Sequence, residues 1–143
     1  MSVLSRFSEL YEELTSVTPD RLRQLYADDI LFIDPIQTHQ GIESVIRYFE
    51  ALLVQAESCR FAISNTIPTQ QNAENIDYIV TWTMTLKVRQ SATPIVLDGI
   101  TQLKVSDDRI TYHRDYYDLG QMVYEHIPLL GWAVKRVKKR LAI

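Results

Sequence analysis

Two places in the 143-residue chain hold side chains whose types suit proton transfer. The first is Asp34, which ends the apolar run Ile30-Leu31-Phe32-Ile33 and directly precedes Pro35. A carboxylate at the end of a strand, above an apolar pocket, has its ionised form disfavoured by desolvation, and that suits a general base. Asp-Pro also favours turns, so capping the turn that follows is the competing role for Asp34. The second place is the triplet His113, Asp115 and Tyr117. Alternate residues of a strand point to one face, so these three share one side while Tyr112, Arg114 and Tyr116 share the other. His113 and Asp115 can work with Asp34 as an acid/base set. They can equally form a satisfied polar network or a dimer contact.

The surrounding pattern supplies the elements that must position these groups. Val3, Phe7, Leu10, Tyr11 and Leu14 recur at helical spacing and predict an amphipathic helix over 3–16. Thr18-Pro19-Asp20 starts a second helix through Leu22, Leu25 and Tyr26, with a hydroxyl cap and proline in the first position. Ile30 to Asp34 suits a short strand, and Gly41 opens a third helix carrying Ile42, Val45, Ile46, Phe49 and Leu53. After Ala56 the period changes to two. Strands are expected from Phe61, over 78–86, over 95–105 and over 109–118, with turns at 70–75, 91–94 and Asp107-Asp108. Beyond Gly120 the helical period returns, and Pro128 is placed to start a last helix. Helices followed by a meander of strands indicate an α+β fold, with the helices packed on one face of a curved antiparallel sheet. Neither a repeat nor a linker divides the chain, so one domain over 1–143 is expected.

Composition excludes several classes. Hydrophobic residues make up 46% and charged residues 23%, the balance of a globular chain and not of a disordered one. The net charge of −3 argues against a general nucleic-acid binder. Cys59 is the single cysteine, which rules out an internal disulfide and a cysteine-based zinc site. His39, His113 and His126 show no His-x-x-x-His spacing, so no dedicated metal site is expected. The four glycines are unclustered, so no phosphate loop and no nucleotide cofactor is expected either. The first fourteen residues carry acids where a secretory leader would be apolar, and no apolar stretch approaches the about 18 residues of a membrane span. A soluble cytoplasmic protein is the expectation.

The segment Leu25-Tyr26-Ala27-Asp28-Asp29, then Phe32-Ile33-Asp34-Pro35 and Gly41, with the ending Arg109 to Asp118, resembles the nuclear transport factor 2-like superfamily in its SnoaL-like and ketosteroid isomerase branches. The resemblance covers roughly residues 5–118 and implies a cone-shaped sheet enclosing a pocket. It implies that Asp34 shuttles a proton, and that His113 and Asp115 face into the cone, where SnoaL-like cyclases use an aspartate on a late strand. Tyr11, Trp82, Thr101 and Tyr117 are the pocket residues on this reading. The resemblance also implies an outer sheet face that carries a homodimer contact, where Arg114, Tyr112 and Tyr116 would lie. The isomerase's own oxyanion donors do not recur: Leu10 stands where its tyrosine is expected and Thr101 where its carboxylic acid is expected. Asp98 lies at an odd offset from Thr101, on the opposite face. Steroid isomerisation is therefore disfavoured. Two functions remain open. One is acid/base catalysis of isomerase, cyclase or hydrolase type on a small apolar or carbonyl-containing molecule. The other is a non-catalytic ligand-binding or protein-interaction module.

The last helix, about 128–141, goes beyond that pattern. Ile127, Leu130, Val134, Val137 and Leu141 form one apolar stripe, expected to dock on the domain or cover the pocket mouth. Lys135, Arg136, Lys138, Lys139 and Arg140 leave ten cations against eighteen acids in the rest of the chain. These cations either form a solvated face that complements the helix dipole or, beside Leu129 and Trp132, meet an anionic surface or an acidic partner.

Overall fold

The computed structural model describes residues 1–122 and 128–142, with side chains for 1–122 and 131–142. Helix α1 (Val3–Glu12) starts where the Ser2 hydroxyl accepts the Ser5 N–H at 3.2 Å, and buries Val3, Phe7, Leu10 and Tyr11. After a 3₁₀ turn at Leu14–Ser16, α2 (Pro19–Leu25) opens on the Thr18 hydroxyl, which accepts the Arg21 N–H. Strand β1 (Tyr26–Ile33) and the short β2 (Thr38–Gln40) lead into α3 (Ile42–Leu53). Gly41 precedes α3 at φ +87°, a backbone angle that glycine adopts without steric cost. Then come β3 (Ala56–Pro68), β4 (Tyr78–Val88), β5 (Ile95–Ser106), β6 (Arg109–Tyr117), α4 (Leu119–Met122) and α5 (Pro128–Leu141).

The six strands form one curved, unclosed sheet in the order β2-β1-β6-β5-β4-β3. Helices α1 to α3 bury their apolar faces on it, so the fold is α+β with three N-terminal helices on a cone-like sheet and a further C-terminal helix. All neighbours pair antiparallel except β1 and β6, which run parallel, so the sheet is mixed. That parallel pair sets Phe32 beside His113. In β6 one extra residue is accommodated between Ile110 and Tyr112, opposite Val105 and Lys104. This bulge lets Ile110 and His113, an odd number of residues apart, both face inward.

Several element boundaries differ from the sequence reading. Tyr26 fits the helical spacing of Leu22 and Leu25, but its backbone is already extended (φ −104°, ψ 142°) and it begins β1. Strand β3 starts at Ala56, five residues before Phe61. Strand β2 is too short to show any alternation, and only its pairing with β1 defines it. Helix α5 docks differently from the predicted stripe. Gly131 is buried, and Val134 Cγ1 and Lys138 Cε reach within 3.1 and 3.5 Å of the point where Gly120 would carry a Cβ. Val137 and Leu141 lie off this contact line and are 57% and 77% exposed. Ile127 falls outside the described residues, as do the side chains of Leu129 and Leu130.

Candidate functional site

A cavity of about 330 Å³ opens between the helices and the inner face of the sheet. Its walls are largely apolar and rich in aromatic rings: Tyr11 of α1, Phe32 of β1, Tyr48 and Phe49 of α3, Phe61 of β3, Trp82 of β4 and Tyr117 of β6. Leu97, Met84 and Met122 fill the gaps between rings. Among the described lining residues there is no lysine, arginine or histidine, and Asp115 is the one carboxylate.

Asp115 is held from behind. The buried Thr101 hydroxyl donates to its Oδ1 at 2.6 Å, and His113 Nε2 lies 2.8 Å from the same oxygen. Thr101 is fixed in turn by the indole N–H of Trp82 at 2.8 Å. His113 is 1% exposed and stacks on Phe32, with ring centroids 4.1 Å apart. Its Nδ1 lies 2.9 Å from the Tyr26 hydroxyl, itself 2.7 Å from the Tyr11 hydroxyl. A carboxylate accepts, so the Nε2–H tautomer of His113 gives these contacts one sense. His113 Nε2–H donates to Asp115, Tyr26 O–H donates to Nδ1, and Tyr11 O–H donates to Tyr26. Burial first, with Asp115's negative charge adding, pushes the Tyr11 and Tyr26 phenols well above the ordinary tyrosine range, so both stay protonated. Every contact of Asp115 runs to Oδ1; Oδ2 has no protein partner among the described residues.

Asp34 sits differently. Its Oδ1 accepts the backbone N–H groups of Ile36 at 2.8 Å and Gln37 at 2.9 Å, and its Oδ2 accepts the Tyr48 hydroxyl at 2.8 Å. The turn-capping role is therefore realised, and both oxygens are engaged. Asp34 does not line the aromatic cavity. It lines an adjoining hollow with Pro35, Arg114 and Tyr116, and Asp115 and Tyr117 line both spaces. Burial, reinforced by the charges of Asp34 and Asp115, raises the Tyr117 phenol well above its ordinary range, and burial with Asp34 does the same for Tyr48. Tyr117 O–H has no partner among the described residues.

The structure thus brings Asp115, His113, Thr101, Trp82, Tyr117 and Tyr11 to one locus, and sets Asp34 at its margin. Leu10 is buried in the core, and Asp98 is exposed on the outer face, where it accepts the Thr83 hydroxyl. Sequence reasoning missed Tyr26 and Tyr48. Tyr26 looked like the last residue of a helix, and Tyr48 is off the main apolar stripe of α3. A tyrosine immediately after a helix-ending leucine, in line with an inward strand position, was the available signal for Tyr26. Among the described residues no group of three or more His, Cys, Asp or Glu side chains is arranged to hold a metal.

The family model of the SnoaL-like domain matches residues 7–113, most of the chain and nearly all of the sheet that holds the site. The chain belongs to the SnoaL-like domain family. No curated protein matches it in sequence. Among solved structures, a protein with a ketosteroid isomerase-like fold from Catenulispora acidiphila, in complex with trimethylamine, superposes with a TM-score of 0.67 at 20% identity. That match covers 83% of this chain and 87% of that one. A protein assigned as a SnoaL-like polyketide cyclase from Jannaschia sp. gives a TM-score of 0.66 at 16% identity, covering 82% and 85%. An epoxide hydrolase of M. tuberculosis gives 0.64 at 15%, covering 84% and 83%. These likenesses establish the nuclear transport factor 2-like fold, which hosts cyclases, isomerases and epoxide hydrolases. The fold alone does not assign an activity.

Proposed function

We propose that this SnoaL-like protein moves a proton on a small, uncharged, largely apolar molecule, with Asp115 as general acid/base. One observation carries the reading. Asp115 presents an Oδ2 without a partner among the described residues at the wall of an aromatic cavity, while Thr101 and His113 fix its Oδ1. An oriented carboxylate oxygen against apolar walls is suited to take a proton from carbon or from water. The high-lying Tyr117 phenol stays neutral and has its O–H free to donate to an oxygen that gains charge, such as an enolate. Aromatic walls whose described residues include no cation favour a neutral substrate over a carboxylate or phosphate. Asp34 anchors the adjoining turn and, through Tyr48, the rim of the cavity.

A second reading, ligand binding without chemistry, is favoured by Leu10, which puts a buried alkyl group where the resemblance places an oxyanion donor. The two are separated by incubating the protein in D₂O with a panel of small ketones, esters and epoxides and following carbon-bound deuterium and ring opening by NMR. Turnover by the wild type, reduced about 10²- to 10⁴-fold in Asp115→Asn with folding retained, supports catalysis. Equal rates in wild type and Asp115→Asn would sink the Asp115 assignment. Cavity binding of a panel member without turnover selects the second reading.

A further inference from the structure

Helix α5 presents two unlike faces. Gly131, Val134 and Lys138, spaced three and four apart, form the inner one: Val134 and Lys138 close on Gly120, and Lys138 pairs with Asp118. Trp132, Lys135, Arg136, Lys139 and Arg140 follow the same spacing on the opposite side. Trp132 is 59% exposed, its ring covered on one side by the Arg136 guanidinium at 5.3 Å. Lys135, Arg136, Lys139 and Arg140 are all exposed, and none has an acidic partner among the described residues. Val137 and Leu141, also exposed, lie on the Val134 side of the helix and away from Trp132.

We propose that the outer face of α5 binds an anionic lipid surface, with Trp132 entering the headgroup layer and the four cations meeting lipid phosphates. Dipole compensation accounts for cations in the last turn, but not for Lys135 and Arg136 nor for the exposed indole beside them. A cluster of Lys and Arg on one helix suits an anionic lipid surface, and an exposed Trp among them suits the headgroup layer. The charge is confined to one helix. The rest of the chain carries eighteen acids against ten cations, so a polyanion that wraps the molecule is repelled where a flat surface touching α5 alone is not. The placement suits the cavity as well: α5 is clasped to residues 118–120, between Tyr117 and Met122, and both of these line the cavity. A surface-bound protein would hold an apolar cavity close to a store of apolar molecules.

The test is flotation of the full chain with phosphatidylcholine vesicles and with vesicles carrying 30% phosphatidylglycerol, alongside heparin binding and Trp emission. Expected are binding to the anionic vesicles alone, at least tenfold weaker binding in the fourfold Lys135→Glu, Arg136→Glu, Lys139→Glu, Arg140→Glu variant, loss at high salt, and a blue shift that disappears in Trp132→Phe. An unchanged circular dichroism melt shows that each variant is folded. Absence of binding to anionic vesicles overturns the proposal, as does binding that survives the fourfold variant. Heparin binding as tight as vesicle binding, with no blue shift, also overturns it and reassigns the face to soluble polyanions or an acidic protein.

Discussion

His113 Nε2 lies 2.8 Å from Asp115 Oδ1, and this contact decides which carboxylate oxygen is left for the cavity. It also decides the imidazole tautomer. An ionised carboxylate only accepts, so the proton belongs on Nε2, and Nδ1 must accept from Tyr26. Nitrogen-15 NMR of the imidazoles should therefore show one buried histidine carrying its proton on Nε2. In Asp115→Asn that tautomer loses its anionic acceptor, and the Nε2 signal should move. A resting Nδ1–H tautomer would contradict the hydrogen-bond sense described above.

Tyr26 has no contact with the cavity, yet it joins the Tyr11 hydroxyl to His113. Tyr26→Phe keeps the ring and removes the joint, leaving Tyr11 O–H and His113 Nδ1 without their partner in a buried site. Such unsatisfied groups cost about 1–3 kcal/mol, which lowers Tm by several degrees in a domain of this size. Denaturation curves measure the loss. A variant as stable as the wild type would mean that water or a side-chain shift replaces the hydroxyl.

How much of this could be read beforehand depended on the length scale of the signal. The inward set His113, Asp115 and Tyr117 follows from strand alternation, because the bulge in β6 lies before His113 and leaves the later register intact. The α+β order follows from the change of period after Ala56. What could not be read was pairing. Nothing in the local pattern announces that β1 runs parallel to β6, and this pairing brings Phe32 onto His113. Asp34 shows the limit most clearly. Its type and position suit a base, but two backbone N–H groups and Tyr48 take up its oxygens, and those contacts depend on the tertiary path of residues 34–37. Val137 and Leu141 share a helical stripe with Val134 and still face solvent, since the docking surface offered by residues 118–120 is narrow.

Gly99 faces the Trp82 indole so closely that a Cβ at this position would meet Cη2 at 2.3 Å and Cζ2 at 2.5 Å. Gly99→Ala must push the ring aside, and with it the N–H bond that fixes Thr101. Overpacking of this kind costs about 1–3 kcal/mol. The buried component of Trp emission should shift as well, because Trp132 is exposed and Trp82 is not. A variant with unchanged stability and emission would show that the ring moves freely.

Glu13 joins the turn after α1 to strand β3. Its Oε2 accepts the Cys59 N–H at 3.0 Å and the Thr15 hydroxyl, and its Oε1 accepts from Ser58 at 2.8 Å and Arg60 at 3.1 Å. Partial burial opposes its charge, but these donors outweigh that, led by the Cys59 N–H, and bring the carboxyl from the ordinary 4.5 down to about 2. The unfolded chain therefore takes up a proton on Glu13 at a pH where the folded protein does not. The contribution of Glu13 is complete above the unfolded value and is lost as pH falls from about 4.5 to about 2. Glu13→Gln should be less stable than the wild type at pH 7 and should lose less stability on acidification. Urea unfolding from pH 7 to pH 3 gives both comparisons. Parallel pH profiles for the two proteins would assign the acid sensitivity to other carboxylates.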